Sequence, residues 1–265
     1  MLYAIGNITS QPVTHLIYSH AHADHIGGAY LFLPAAANPS KPTIIAHAET
    51  AKFLSQTPDR NRPLPTLTFQ TNHTLTVGNP TLQLSYHGLA HVAGNIDIYA
   101  PAQRILMLVD VIYPGWTPFS RLGVAVSVPG YLATHDRILH SYEFKYFVGG
   151  HLNRVGNRAD VEIQRNYVRD LYANCEEAIG RTEDPQDPVL GPAALLGRVL
   201  AVNPGNAWAA FAVYLGAVAG VCAEVTNRKW ATRLSAADVF QLDNAEAMVE
   251  SLRLDYGVWG PFGVA

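Results

Sequence analysis

Through its first 150 residues the chain alternates short apolar runs with clusters of Pro, Gly and Asn. Runs rich in Ile, Val, Leu, Thr and Tyr, bounded by such turn formers, read as strands. They fall at Val13–Ser19, Thr43–His47, Thr66–Phe69, Leu75–Val77, Leu82–His87, Ile96–Ala100, Ile105–Asp110 and Tyr146–Gly149. Helical spacing appears at Glu49–Gln56, in the stretch after Gly27-Gly28 and at Pro129–Tyr142, and Met1–Asn7 reads as a helix end. From Ala159 the pattern changes. Ala159–Gly180 is one long helical run with its charges on one face, and Glu183-Asp184-Pro185-Gln186-Asp187-Pro188 is a polar, Pro-broken connector. From Gly191 onward only helices are predicted. The pattern therefore gives a mixed α/β domain over residues 1–182 and a helical extension over 183–265, packed on the domain or at a dimer interface. Strands mixed with helices and hairpin-like strand pairs predict stacked layers of helix and sheet.

Composition narrows the class. Hydrophobic residues make up 49% of the 265 and charged residues 15%, which is the balance of a folded globule. The net charge is −3 and no run of Lys or Arg stands out, so neither a nucleic-acid nor an anionic-membrane partner is expected. A small-molecule substrate fits. Ala207–Ala223 carries no charge but falls short of the roughly 20 residues a membrane span needs, and it reads as a helix packed inside the protein or at a homodimer interface. Cys175 and Cys222 are isolated, without a Cys-x-x-Cys pair, and are expected to be free thiols in a reducing compartment. No signal-peptide pattern follows Met1-Leu2-Tyr3, so the expected location is cytoplasmic.

The chemistry concentrates where the first strand ends. Val13–Ser19 runs into His20-Ala21-His22-Ala23-Asp24-His25, four potential metal ligands in six residues, and Gly27-Gly28 then lets the chain turn. Imidazole nitrogen and carboxylate oxygen are ordinary ligands of zinc and similar ions. Three further candidates stand at other strand ends. His91 precedes Gly94-Asn95, Asp110 closes an apolar run in which a lone carboxylate is costly to bury, and His151 follows Gly149-Gly150.

His-x-His-x-Asp-His, then a His before Gly-Asn, an Asp ending a strand and a Gly-His resembles the metallo-β-lactamase superfamily over about residues 13–155. The resemblance implies an α+β fold, an αββα sandwich with its site at one edge between two sheets. It implies two divalent ions, zinc the first choice. His20, His22 and His91 would hold one, Asp24, His25 and His151 the other, and Asp110 would bridge them. Two features depart from the family pattern. Val92 stands where Thr or Ser is usual, and only nineteen residues precede His20, so the first sheet would lack its opening strands and expose an edge to association. The implied chemistry is hydrolysis, with Asp24 or Asp110 as acid/base group. True β-lactamases of the superfamily commonly carry Cys at the place of Asp110, so an ester, lactone or thioester substrate is expected. A phosphodiesterase, a mononuclear iron oxygenase of the same fold and an inactive truncated member are the alternatives. The aromatic segment Val111–Phe119 would line the site mouth; Asn153 and Arg154 could meet a substrate anion, and His87 could support the site.

Overall fold

The structure, a computed structural model, describes residues 2–33, 41–151 and 154–260. Helix α1 (Leu2–Gly6) leads to β1 (His15–Ile17), which pairs in parallel with β2 (Thr43–His47), itself parallel to β3 (Leu67–Phe69). His15 lies opposite Thr43, and Ile45 opposite Leu67. Between β1 and β2 come α2 (Ala23–Ile26) and a one-turn 3-10 helix, Ala29–Phe32, so helix flanks Gly27-Gly28 on both sides. Helix α3 (Ala48–Gln56) follows β2, its first turn capped by the His47 ring, which accepts from the Glu49 N–H.

The second sheet has five strands in sequence order: β4 (Asn72–Thr76), β5 (Thr81–Ser85), β6 (Asp97–Ala100), β7 (Ile105–Met107) and β8 (Tyr146–Val148). It is antiparallel through β7, and β8 runs parallel to β7. The run Ile105–Asp110 is regular strand only as far as Met107. Past it the Leu108 N–H still reaches the Val148 oxygen at 3.1 Å and the Asp110 N–H the Gly149 oxygen at 3.1 Å.

The layers follow from which apolar faces meet. Ile17, Ile45 and Phe69 of the first sheet pack against Leu84, Ile96 and Ile98 of the second. Tyr18, Ile44 and Ala46 turn the other way, toward Ile26, Ala29 and Leu54 on the adjoining helices. Beyond the second sheet lie α5 (Val128–Ser141) and α6 (Arg158–Gly180), then α7 (Pro192–Val202), α8 (Ala207–Trp230) and α9 (Ala237–Leu254). This is the expected helix–sheet–sheet–helix order, with helices at the C-terminal end. Asn157 caps α6 through a reciprocal bond with Asp160. One buried cluster joins Leu106, Val111 and Tyr131 to Tyr167, Val218, Trp230 and Met248, so the extension shares a core with the sheet. Its α8 is long and apolar enough to cross a membrane, with mean hydropathy 1.7. The C-terminal half of that helix, however, buries Val218, Ala219, Cys222, Ala223, Thr226 and Trp230.

One expectation needs correction. Cys175 and Cys222 are not free thiols: α6 and α8 bring them together in a disulfide with a Cα separation of 4.7 Å. They lie 47 residues apart and become neighbours only through helix packing. The argument from free thiols to a reducing compartment falls with them. The segment Ser120–Val124 (α4), for which the sequence predicted no element, is a turn whose Arg121, Leu122 and Gly123 wind left-handed. Among the described residues no strand precedes β1, which has β2 on one side and no strand on the other.

Candidate metal centre

Four separate segments deliver the polar groups. The chain leaves β1 at Ser19, where Ile96 N–H bonds to the Ser19 oxygen, and presents His20 and His22 before α2 carries Asp24 and His25. The loop after β5 brings His91, the chain past β7 brings Asp110, and the turn after β8 brings His151. Two groups of potential ligand atoms result, His20–His22–His91–Asp110 and Asp24–His25–His151, the atoms within each lying no more than 4.8 Å apart.

Asp110 joins the two groups. Only 1% exposed, it has His25 Nε2 at 2.9 Å, His91 Nε2 at 3.3 Å and His20 Nε2 at 3.4 Å from Oδ2, and His151 Nε2 at 3.0 Å from Oδ1. His91 Nε2 faces His22 Nδ1 at 3.2 Å, and His25 Nε2 faces His151 Nε2 at 3.1 Å. Asp24 lies 3.4 Å from His25 and 3.6 Å from His151, with its side chain 60% exposed.

The donor set suits metal ions. His91 Nδ1 donates to the Gly123 oxygen at 2.8 Å, which fixes the tautomer and aims the lone pair of Nε2 at the cluster. His20 Nε2 and Asp110 Oδ1 are buried yet make no hydrogen bond, a costly arrangement without a further partner. Imidazole lone pairs converging on one carboxylate are the groups a divalent ion binds. Electrostatics point the same way. Burial, helped by the neighbouring His91, pushes the His20 imidazole down to about 2, so it stands neutral. His22 is also lowered by burial first and then His91. Burial alone would raise the Asp110 carboxyl, but its close contacts with His25 and His91 outweigh it and hold the group well below the usual carboxylate range. The same contact with Asp110 raises His25.

The backbone at the site is strained. Asp110 and His151 have φ of 66° and 52°, and Arg121, Leu122 and Val124 are also left-handed. Such conformations cost roughly 1–3 kcal/mol each and persist where surrounding bonds dictate them. Those bonds are visible. Asn95 Nδ2 donates to the Val109 oxygen at 3.0 Å. The Gln164 side chain accepts from Tyr113 N–H at 2.7 Å and donates to the Val111 oxygen at 2.6 Å, an oxygen that also accepts from the Tyr131 hydroxyl. Asn244 of α9 accepts from Leu122 N–H at 2.7 Å and donates to the Pro118 oxygen at 2.9 Å. Gly123 has no room for a side chain, because a Cβ there would collide with the Tyr113 hydroxyl.

All seven residues singled out from the sequence thus meet in one place. Of the subsidiary candidates, Phe119 packs edge-on against His151, with ring centroids 5.5 Å apart, whereas Trp116 pairs through its backbone with Ser235. His87 lies elsewhere, bonded to Tyr142 and 3.5 Å from Asp97. Arg154 is taken up by Asp160 and the Pro114 oxygen, and Asn153 lies outside the described residues. Sequence reading missed Gln164, Tyr131 and Asn244, polar residues in apolar surroundings that carry no motif; their burial is the only signal.

Comparison with known proteins bears on the fold and the family. The alpha subunit of a 2,4-dinitroanisole O-demethylase from Nocardioides sp. (strain JS1661) is 29% identical over 161 residues, 58% of this chain and 45% of that subunit. Acyl-coenzyme A thioesterase MBLAC2 from Bos taurus is 25% identical over 176 residues, 57% of this chain and 61% of the thioesterase. The chain therefore spans 45% and 61% of the length of these relatives. A metallo-beta-lactamase from Pontibacter korlensis matches with a TM-score of 0.52 at 21% identity, over 63% of this chain and 74% of that one. The DIM-1 metallo-beta-lactamase matches at 0.51 and 17%, over 62% and 71%. At these identities the structural likeness is one of fold. The model of the metallo-beta-lactamase superfamily matches residues 6–161, well over half of the chain, and the chain belongs to that superfamily.

Proposed function

We propose that this protein is a metal-dependent hydrolase of acyl esters, lactones or thioesters that works with two divalent ions, zinc in the first instance. The observation that carries the reading is Asp110, a buried carboxylate in contact with histidines of both ligand groups. His20, His22 and His91 would hold one ion, Asp24, His25 and His151 the other, and Asp110 would be shared. Bound ions of this kind polarise a carbonyl oxygen and make water acidic enough to attack it near neutral pH. Around them the protein does three things. Asp110, held ionised, fixes the spacing of the two groups. Asp24 is exposed enough to take a proton from the attacking water and return it to the leaving group. Phe119, beside His151, offers an apolar wall to the substrate at the cleft.

A carboxylate at the bridging place supports acyl substrates over β-lactams, and the name of the thioesterase relative points the same way. Elemental analysis should find two metal ions per chain. Hydrolysis should appear for at least one class in a panel of lactone, thioester, phosphodiester and β-lactam substrates. Asp110→Ala should abolish it and lower the metal content; unchanged activity refutes the bridging role, and a single iron per chain refutes the two-ion reading.

A further inference from the structure

The turn that carries His20 and His22 has little local structure to hold it. His20, Ala21 and His22 lie between β1 and α2, outside both elements. His22 is the N-cap of α2, a place where a Ser, Thr or Asp side chain usually bonds to the helix N-terminus. Its ring makes no such bond and faces His91 instead. Ala21, between the two histidines, packs its side chain with Tyr18, Ile26 and Leu54. Support comes from the loop of residues 57–66, between α3 and β3, which fastens the turn and its flanks at three points. Arg62 Nη1 donates to the Ala21 oxygen at 2.8 Å, the Asn61 oxygen accepts from Tyr30 N–H at 3.3 Å, and the Pro63 oxygen accepts from the Tyr18 hydroxyl at 2.9 Å. The loop is stiff in its own right. Pro58, Pro63 and Pro65 fix three of its backbone angles. Asp59 accepts from Asn61 N–H through one carboxylate oxygen at 2.9 Å and from Arg62 Nε through the other at 2.8 Å. The carboxylate thus sets one edge of the Arg62 fork, and the fork directs Nη1 at the peptide oxygen between two candidate ligands. The Arg62 and Asp59 side chains are only 15% and 28% exposed, and their charges cancel where a lone guanidinium would oppose a nearby cation.

We infer that Arg62, aligned by Asp59, is a positioning residue of the metal centre. On the two-ion reading above, it fixes the spacing of His20 and His22 and hence the affinity for the ion that these two share with His91. The planar fork is what suits it to the task, since it grips the carboxylate and the peptide oxygen together in one fixed geometry. Ligands held in place before the ion arrives lose less freedom when they bind it.

Titration of the metal-free protein with cobalt(II) tests this, because the visible spectrum of the ion reports ligand geometry as well as occupancy. Arg62→Met keeps an unbranched apolar stem and removes the donors. It should lower cobalt affinity by about 10–100-fold, the range for groups that orient metal ligands, and shift the visible bands at saturation. The metal-free variant should keep a single thermal transition. Asp59→Ala, at the more exposed partner, should cause a smaller loss of affinity. The double variant should bind no more weakly than Arg62→Met alone, because Asp59 acts through Arg62. Unchanged affinity and spectrum in Arg62→Met overturn the inference, and so do losses that add in the double variant. If Arg62→Met fails to fold, Asp59→Ala decides, and wild-type affinity in that variant overturns the inference. A wild-type chain that binds no cobalt refutes the two-ion reading itself, a result distinct from two ions bound equally well by wild type and variants.

Discussion

At the scale of single residues, the site depends on groups that never touch its centre. Gly123 is the clearest. Its oxygen receives the His91 Nδ1 proton, and its left-handed φ of 69° and the nearby Tyr113 hydroxyl exclude a side chain. Gly123→Ala should therefore move the acceptor and lower metal affinity by about 10–100-fold, the usual effect of losing a partner that orients a metal-binding histidine. Titration of the metal-free protein with zinc reads this directly, and unchanged affinity would show that His91 needs no such anchor. His135 of α5 makes a second case. It is fully buried, with Nδ1 on the Tyr131 oxygen at 2.9 Å and Nε2 on Gln164 at 3.2 Å. Both nitrogens are satisfied in the neutral ring, and burial, despite the favourable backbone contacts, pushes the imidazole down to about 4. Because the folded value lies below the unfolded one, the contribution to stability is complete above about pH 6.5 and is lost as pH falls toward 4. His135→Gln should flatten the pH dependence of the unfolding free energy in that window by about 1.4 kcal/mol per pH unit, one proton's worth. Denaturant titrations at several pH values test it; identical slopes in the two proteins would contradict it.

At the scale of elements, local pattern and long-range contact divide the work. The strands, the α6 run and the cluster His20–His25 were legible in the sequence because each signal lies within a few residues: a two- or four-residue period, a cap, a strand running into a ligand-rich turn. His91, Asp110 and His151 were legible through their order and their places at strand ends. The supports were not. Gln164 reaches Tyr113 across 51 positions, and Asn244 reaches Leu122 across 122, and no window on the sequence spans such a distance. The left-handed turn at residues 121–123 was equally hidden, because Arg and Leu have no preference for that conformation and adopt it only under tertiary constraint. The cysteine pair is the same lesson, since isolated spacing concealed two helices that meet. Alkylation of the unfolded, unreduced protein should accordingly find no free thiol, and Cys175→Ala with Cys222→Ala should cost about 2–4 kcal/mol of stability by freeing a long loop in the unfolded chain. A reactive thiol in the unreduced protein would dismiss the cross-link.

At the scale of the whole molecule, the helical extension helps hold the site together. Asn244 bonds the turn that carries Gly123, while α6 supplies Gln164 to the chain just past Asp110. One core runs from β7 to α9, so the sheet and the extension should unfold in a single cooperative step. The placement of these parts along the chain also sets a timetable for synthesis. As the polypeptide leaves the ribosome, the first ligand group is complete at Asp110, the second waits for His151, and the clamp on the turn behind His91 waits for Asn244. A metal ion captured before that last helix emerges would rest on an unsecured turn. Retention of an ion held by these residues would thus be an event of late translation, and a chain stalled between His151 and Asn244 would carry every proposed ligand without the means to keep them in place.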